Sequence, residues 1–156
     1  AGCEVELVDV NPGRASVARA LGFDFADPTT ARTDRDVVIH ASGTAAGLRL
    51  ALDLAGFEAR IVDLSWYGDH PVTLPLGQAF HARRLQVVSS QVGHIAPAQR
   101  ARWDHRRRMQ LALGRLAEPA LDALITSESP FDELPAVMAR VSRAPGDTIC
   151  HRVRYV

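Results

Sequence analysis

The chain has 156 residues, of which 47% are hydrophobic and 23% are charged, and its 18 acidic and 18 basic residues give a formal net charge of zero. This length suits one globular domain of ordinary size, and the charge balance gives no electrostatic reason to bind nucleic acid or a membrane surface. Every basic residue is arginine, so Schiff-base and Walker-type lysine chemistry is excluded for this chain. No apolar run approaches the ~20 residues that cross a membrane and no signal-peptide pattern is present, so a cytoplasmic protein is expected.

Strand and helix signals alternate through the first part of the chain. Strands are predicted at residues 4–9, 23–26, 36–41 and 59–65. A helix capped by Asn11 and ended by Gly22 carries an inner stripe of Val17, Ala20 and Leu21, and a second helix covers residues 44–55 up to Gly56. The continuous apolar centre of residues 36–41 is typical of parallel strands buried on both faces. This β-α-β-α-β order predicts an α/β fold with a doubly wound parallel sheet.

The pattern changes after Ser65. Residues 66–77 are irregular, a strand is predicted at residues 85–90, and residues 92–97 form a loop. One long helix is predicted over residues 98–117, densely basic between Arg100 and Arg108. A short strand at residues 121–126, a helix with a capping box at Ser129, and a final strand at residues 148–156 follow. The inward positions of that helix are Leu134, Val137, Met138 and Val141.

Asp9 is the strongest functional clue, because it ends the first predicted strand. A carboxylate at such a strand end can accept hydrogen bonds from both hydroxyls of an adenosine ribose, and it repels a 2′-phosphate, which favours NAD over NADP. Arg14 follows near the start of the next helix, where its side chain could contact the adenosine. The alternative is that Asp9 only helps to cap that helix. The other strand ends fall at Ala41, Ser42 and Gly43 and at Leu64 and Ser65.

Several segments resemble the coenzyme domain of medium-chain, zinc-type alcohol dehydrogenases. They are Val8-Asp9-Val10-Asn11-Pro12, Ala20-Leu21-Gly22-Phe23-Asp24, residues 36–43, Leu124-Ile125-Thr126 and Phe131-Asp132-Glu133-Leu134-Pro135. The resemblance covers nearly the whole chain. It implies a Rossmann-like, NAD-binding part over residues 1–117, and a C-terminal α/β segment over residues 118–156 that packs at the junction with a catalytic domain.

The resemblance also implies roles for individual residues in a hydride transfer between NAD(H) and a small alcohol or carbonyl compound. Asp9, Asn11 and Arg14 would surround the adenosine ribose. Ala41, Ser42 and Gly43 would pass beneath the cofactor. Leu64 and Ser65 would approach the nicotinamide, as would Ser89 and Ser90. Arg152 is a weaker candidate for the pyrophosphate, and a solvated strand arginine is the alternative.

One central part of that family's coenzyme domain is absent from the sequence. The first strand, its Gly-x-Gly-x-x-Gly turn and the first helix would normally precede residue 4 and hold the pyrophosphate. We expect this chain to be the C-terminal portion of a longer protein, or another chain to complete its sheet, and we expect the chain alone to be inactive. Zinc is expected only in the absent N-terminal catalytic domain.

Two other functions fit parts of the pattern. An S-adenosylmethionine-dependent methyltransferase also ends its second strand in an acid that holds a ribose, and a non-catalytic Rossmann-like module could keep the fold without the chemistry. The six histidines show no metal-ligand spacing, His40 is expected to be a core histidine with its hydrogen bonds satisfied, and the absence of a G-x-S-x-G elbow disfavours a Ser-His-acid hydrolase.

The remaining expectations concern surfaces. The basic stretch between Arg100 and Arg108, which includes Trp103, is interpreted as a solvated helix face in preference to a nucleic-acid surface. Trp66 and Tyr67 either line a substrate pocket or pack within a loop. The strand near Leu85 and Val88 is expected to be a sheet edge through which two copies form a homodimer. Cys3 and Cys150 are expected to be buried free thiols, with a disulfide between them as the alternative.

Overall fold

The computed structural model describes residues 2–155, which divide into two compact units. One unit combines residues 2–27 with residues 111–155, and the other comprises residues 28–110. The predicted division into 1–117 and 118–156 concerns domains of a complete protein and stays a prediction. Within residues 2–155, no helix combines the length and the apolar character that a membrane crossing requires.

Seven strands and five helices follow one another along the described chain. In order they are β1 (Glu6–Val8), α1 (Arg14–Ala20), β2 (Asp24–Ala26), β3 (Arg35–His40), α2 (Ala45–Leu54), β4 (Ala55–Asp63), α3 (Ala79–Ala82), β5 (Gln86–Ser89), α4 (His105–Arg115), β6 (Ile125–Pro130), α5 (Leu134–Arg143) and β7 (Cys150–Arg154). Short 3₁₀ segments lie at Pro97–Gln99, Pro119–Leu124 and Phe131–Glu133.

All strand pairing between these elements is parallel, as predicted. In the unit of residues 2–27 and 111–155, β1 pairs with β2 and β6 pairs with β7. In the unit of residues 28–110, the strands lie in the order β3-β4-β5. Helix α1 connects β1 to β2, helix α2 connects β3 to β4, and helix α5 connects β6 to β7. This is the strand–helix–strand arrangement expected of an α/β fold.

The core of the three-stranded unit lies between its sheet and helix α2. Helix α2 is capped by Thr44, whose hydroxyl oxygen accepts a hydrogen bond from the Gly47 N–H at 3.0 Å. Its inner face carries Leu48, Ala51 and Leu52, which pack against Ile61 of β4. Since side chains alternate along a strand, Val38 and His40 of β3 share the face that α2 covers.

The opposite face of β3 contradicts the prediction of burial on both faces. Val37 is 56% exposed and Ile39 is 66% exposed within the described chain. Their side chains alternate with those of Val38 and His40, which pack on the α2 side. The apolar run therefore predicted the strand correctly, but within residues 2–155 only one of its faces is buried.

Helix α1 differs from the prediction in its cap and its buried positions. Gly13 is the N-cap and Asn11 lies in the preceding turn. Ala18 is fully buried, whereas Ala20, predicted to face inward, is exposed. Because the helix begins at Arg14, its inner stripe at helical spacing contains residues 14, 17, 18 and 21.

The long helix predicted over residues 98–117 is interrupted. A 3₁₀ segment at Pro97–Gln99 is followed by turns, and α4 begins only at His105. Asp104 explains this start, because its Oδ1 accepts a hydrogen bond from the Arg107 N–H at 2.7 Å. An aspartate that caps a new helix competes with continuation of the old one.

Three further boundaries were predicted wrongly. Gly56, expected to end helix α2, lies inside β4, where an added Cβ would come within 2.5 Å of Asp34 Oδ1. Residues 121–124 form a 3₁₀ segment, and β6 continues through Ser129, so the predicted capping box at Ser129 does not form. Strand pairing with β7 outweighs the local capping pattern.

Exposure also differs at three predicted inner positions. Met138 of α5 is 58% exposed, although Leu134, Val137 and Val141 are partly buried as expected. Cys3 and Cys150 are free thiols, but both are exposed and not buried. Strand β5 is an edge of the sheet, as predicted, with Val87 and Val88 partly exposed.

Candidate functional site

Asp9 organises the turn between β1 and α1. Its Oδ1 accepts a hydrogen bond from the Asn11 N–H at 2.8 Å, and Asn11 Oδ1 accepts one from the Gly13 N–H at 2.8 Å. Two successive side-chain turns of this kind replace a regular helix cap. Within residues 2–155, Asp9 Oδ2 makes no hydrogen bond. One carboxylate oxygen therefore shapes the chain and the other remains available.

Asn11 and Arg14 hold the loop before β7. The Asn11 amide donates to Asp147 Oδ1 at 2.7 Å. The Arg14 guanidinium donates to the carbonyl oxygens of Asp147 at 2.6 Å, Thr148 at 3.1 Å and Gly146 at 3.4 Å. Their predicted position around an adenosine stays a prediction. In the structure, both side chains contact residues that lie 132 to 136 positions away along the sequence.

A cleft of about 320 Å³ lies beside Asp9. Asp9 and Arg14 are its charged lining residues, and the other walls are apolar: Leu7, Val8, Val17, Ala18, Leu21, Phe25, Leu124 and Ile149. Ligand sites commonly combine such apolar walls with a few polar groups at one end. A second cavity of about 440 Å³ in the same unit includes Gly13, Arg14 and the loop of residues 144–148.

A cluster of polar side chains surrounds His40 in the unit of residues 28–110. His40 ends β3, is 4% exposed, and lies opposite Asp63 in the β3–β4 register. Its Nδ1 is 2.9 Å from Asp63 Oδ1 and 3.1 Å from Ser65 Oγ, and its Nε2 is 2.8 Å from Ser42 Oγ. The prediction of a core histidine with satisfied hydrogen bonds is confirmed.

Asp63 is held on both carboxylate oxygens. Its Oδ1 accepts from the Ser65 N–H at 3.0 Å, and its Oδ2 accepts from the Tyr67 hydroxyl at 3.1 Å. Burial raises the pKa of Asp63, but the hydrogen bonds from His40, Ser65 and Tyr67 together lower it by more. The pKa of Asp63 therefore lies below the ordinary value of 3.8. Burial and the neighbouring Asp63 raise the pKa of Tyr67. Asp63 is therefore ionised and Tyr67 is neutral near pH 7.

The turn between β3 and α2 lies next to this cluster. Gly43 has a φ of 67°, a left-handed conformation that glycine adopts without strain, and its N–H donates to Ser65 Oγ at 3.1 Å. Ala41 and Ser42 are exposed. The Leu64 N–H donates to the His40 carbonyl, and the Ser90 N–H donates to the Asp63 carbonyl. The strand-end residues of β3, β4 and β5 are thus neighbours, as predicted for this edge.

This cluster also contains Asp63, Gly47 and Tyr67. The sequence predicted no functional role for Asp63 or Gly47. Asp63 is the last residue of β4 and directly follows apolar residues, which is the same signal that singled out Asp9. Gly47 has no local signal, because its importance comes from the distance between α2 and β3. Tyr67 was assigned to a pocket or to loop packing, and its hydroxyl contacts Asp63 and His40 Nδ1. Trp66 is 87% exposed.

The arginines of the basic stretch mostly bind nearby backbone. Arg100 donates to the Ile95 carbonyl, and Arg108 donates to those of Val92 and His94. Arg107 donates to the Arg102 carbonyl and lies 4.4 Å above the Trp103 ring. These contacts organise residues 92–104. Arg152 forms an ion pair with Glu128 at 2.6 Å and is 56% exposed. Among residues 2–155, no group of three or more His, Cys, Asp or Glu side chains has metal-site geometry.

Solved structures share this fold. An L-idonate 5-dehydrogenase from Escherichia coli K-12 is 15% identical with a TM-score of 0.74, covering 97% of this chain and 42% of that one. A short chain alcohol dehydrogenase from Escherichia coli CFT073, solved with NADH, is 16% identical with a TM-score of 0.70, covering 98% of this chain and 44% of that one. A putative zinc-binding dehydrogenase from Sinorhizobium meliloti, solved with NADP, is 22% identical with a TM-score of 0.70, covering 96% of this chain and 44% of that one.

The chain therefore spans less than half the length of the dehydrogenases it matches. No family model matches it, and no curated protein is similar to it in sequence. The predicted resemblance to zinc-type, medium-chain dehydrogenases is confirmed at the level of the fold, which is α/β and Rossmann-like. At such low sequence identity, the structural similarity to these dehydrogenases assigns no role to any individual residue of this chain.

Proposed function

We propose that this chain is the cofactor-binding part of a nicotinamide-dependent alcohol or carbonyl oxidoreductase of the medium-chain type. The observation that carries the proposal is the fold, which covers nearly the whole chain in dehydrogenases solved with NADH and with NADP. When bound, the nicotinamide supplies the hydride chemistry, and this chain positions the cofactor. The complete protein would be cytoplasmic and would act on a small alcohol or carbonyl compound.

Asp9 is the residue proposed to hold the adenosine ribose. Its free Oδ2 suits a hydroxyl donor, and the apolar cleft beside it suits an adenine ring. A ribose with two free hydroxyls would gain hydrogen bonds from the carboxylate, whereas a 2′-phosphate would meet a like charge. We therefore propose NAD as the cofactor in preference to NADP.

The strand ends of β3, β4 and β5 are proposed as further cofactor contacts. Ala41, Ser42 and Gly43 would lie beneath it, and Leu64, Ser65 and Ser90 would approach the nicotinamide side. Gly43 supports this role because it has no side chain that could block a ligand. The space beside it is open, since the nearest atom of another described residue lies 4.0 Å from where a Cβ would stand. The contacts of Asn11 and Arg14 with residues 146–148 give these two residues a supporting role around Asp9.

The substitution Asp9→Asn tests the ribose assignment. Asparagine keeps the oxygen that accepts from the Asn11 N–H, so the turn is preserved while the charge is removed. Loss of a charge-assisted hydrogen bond of roughly 1.5–3 kcal/mol predicts about a 10- to 100-fold weaker NAD affinity. NADP affinity is expected to stay constant or rise. Fluorescence titrations of the full-length protein with NADH and with NADPH measure the two affinities. Asp132→Asn, which changes an exposed acid outside the cleft lining, is the control.

An unchanged preference between NAD and NADP in Asp9→Asn would remove Asp9 from the cofactor site. Saturable binding of S-adenosylmethionine without binding of NADH would replace the proposed oxidoreductase by a methyltransferase. Binding of neither ligand by the folded full-length protein would favour a non-catalytic module.

A homodimer through β5 is part of the proposal. Strand β5 is an edge of its sheet, and its Val87 and Val88 are 39% and 44% exposed. Exposed apolar edges favour pairing with another chain. The substitution Val88→Lys is expected to convert the dimer into a monomer in light scattering. Val92→Lys, an exposed valine outside β5, is the control and should leave the mass unchanged.

A further inference from the structure

The cluster around His40 contains a hydrogen-bonded arrangement that the cofactor contacts proposed for Ser42 and Ser65 do not explain. Ser42 Oγ, the His40 ring and the Asp63 carboxylate form a continuous chain of hydrogen bonds of 2.8 and 2.9 Å. We propose that Ser42, His40 and Asp63 form a nucleophilic triad that transfers acyl groups from small carboxylic esters to water. This activity goes beyond the proposed oxidoreductase and does not depend on it.

The two ring nitrogens of His40 have the partners that a general base needs. Nδ1 faces the Asp63 carboxylate, which can only accept, so we assign the proton of the neutral ring to Nδ1 and the lone pair, directed at the Ser42 hydroxyl, to Nε2. The roles of a triad follow from this order of contacts, whatever the order of the residues in the sequence. Ser42 is exposed as a residue, whereas His40 is buried and fixed in orientation.

Asp63 is built into the sheet more firmly than an ordinary surface acid. Its side chain is 12% exposed, and the Ser65 N–H and the Tyr67 hydroxyl hold it in addition to His40. The hydrogen bonds to the Asp63 oxygens keep its pKa below the ordinary value. Asp63 is therefore a positioning residue that fixes the His40 tautomer and stabilises the imidazolium formed during reaction.

The first turn of α2 lies beside Ser42. The Thr44 N–H donates a hydrogen bond to Ser42 Oγ at 3.3 Å. The N–H groups of Ala45 and Ala46 follow in the same turn, where helix N–H groups have no partner within the helix. Donors of this kind stabilise an oxyanion beside the nucleophile. Gly47 leaves the space that Ser42 and His40 occupy, because a Cβ there would lie 2.8 Å from His40 Nε2 and would also collide with Ser42 Oγ.

The reaction balances with the ester and water alone. The Ser42 oxygen forms a bond to the acyl carbon as its proton passes to His40 Nε2. The bond between that carbon and the alcohol oxygen then breaks, and the alcohol leaves with the proton from His40. Water repeats the sequence on the acyl-serine, giving the carboxylic acid and free Ser42.

The chain contains an internal comparison for this site. His151 also contacts serines through both ring nitrogens, Ser127 Oγ at 2.7 Å and Ser129 Oγ at 3.0 Å. No carboxylate faces that ring within hydrogen-bond distance among the described residues. Ser127 therefore has a histidine neighbour but no acid to orient it, and it is expected to be unreactive.

A fluorophosphonate probe tests the proposal on the full-length protein without added cofactor. The serine oxygen forms a bond to phosphorus, fluoride leaves, and the serine proton passes to His40, so the labelled residue can be identified by peptide mass spectrometry. Labelling is expected at Ser42 and absent in Ser42→Ala. Asp63→Asn is expected to slow it by roughly 10²–10⁴-fold. Ser127→Ala is the control and should label at the natural rate. p-Nitrophenyl acetate hydrolysis should follow the same order.

Gly47→Ala supplies a second test if Asp63→Asn does not fold, because it separates Ser42 from His40 while leaving all three residues in place. Labelling of Gly47→Ala is expected to fall by at least about 10-fold, the effect of losing a positioned general base. No labelling of Ser42 in the folded natural protein would overturn the proposal. Labelling of Ser42 that persists at the natural rate in folded Asp63→Asn or Gly47→Ala would equally overturn it, since the histidine and acid would then have no part.

Discussion

Replacing Gly47 by alanine tests how tightly helix α2 is packed on the His40 cluster. The added Cβ would lie 2.8 Å from His40 Nε2 and would collide with the Ser42 hydroxyl. The imidazole cannot retreat freely, because Asp63, Ser65 and Tyr67 hold its other side. Ser42 must therefore rotate away, or the ring must leave its partners.

Either response costs more than the helix gains. If Ser42 rotates, the Nε2 atom of a histidine that is 4% exposed loses its hydrogen bond, which costs roughly 1–3 kcal/mol. Alanine in place of glycine favours a helix by roughly 0.5–1 kcal/mol. The net expectation is a loss of about 1–2 kcal/mol in the free energy of unfolding. In a protein of this size, that loss lowers Tm by roughly 2–8 °C.

Gly114→Ala is the matched control. Gly114 lies in helix α4, and no atom of another described residue comes within 4 Å of its Cβ position. Only the helix preference changes there, so stability is expected to rise by roughly 0.5–1 kcal/mol. Urea and thermal unfolding of both variants measure the difference. If Gly47→Ala is as stable as Gly114→Ala, the close packing of α2 against Ser42 and His40 is refuted.

Two further predictions concern other contacts. Arg14→Lys removes the guanidinium that donates to three backbone carbonyls. We expect the free energy of unfolding to fall by roughly 1–2 kcal/mol and amide hydrogen exchange near Thr148 to become faster. Unchanged exchange there would contradict the anchoring role of Arg14. Because the pKa of Asp63 is lower in the folded protein than its ordinary value of 3.8, its contribution to stability is present above that value and is lost as the pH falls through the folded pKa. Urea unfolding between about pH 2 and 6 should show a shallower acid decline in Asp63→Asn than in the natural protein, and parallel curves would exclude Asp63 as a source of that decline.

The sequence predicted most elements because strand and helix patterns are local. Parallel strands, the helix after Thr44 and the strand-end positions of Asp9 and Ser42 follow from apolar periodicity and capping residues within a few positions. Boundaries failed where a nearby side chain redirected the backbone. Asp104 starts a new helix inside an apparently continuous one, and Ser129 is drawn into β6 by its pairing with β7.

The polar contacts of the sites could not be predicted in the same way. His40 and Asp63 are 23 residues apart, and only the register of β3 with β4 places them opposite each other. Arg14 and Asp147 are 133 residues apart, and no local pattern distinguishes an arginine that binds a distant loop from one that awaits a ligand. Such pairings depend on which backbone segments pack together.

The sequence by itself determined the α/β class, the parallel pairing and the acid at the end of β1, because these depend on side-chain period and on residues within one turn. The tertiary structure alone decided that Asn11 and Arg14 hold residues 146–148, and that Ser42, His40 and Asp63 form one hydrogen-bonded chain. It did so because hydrogen bonds need atoms within about 3 Å, and only strand register and the packing of α2 bring distant residues that close.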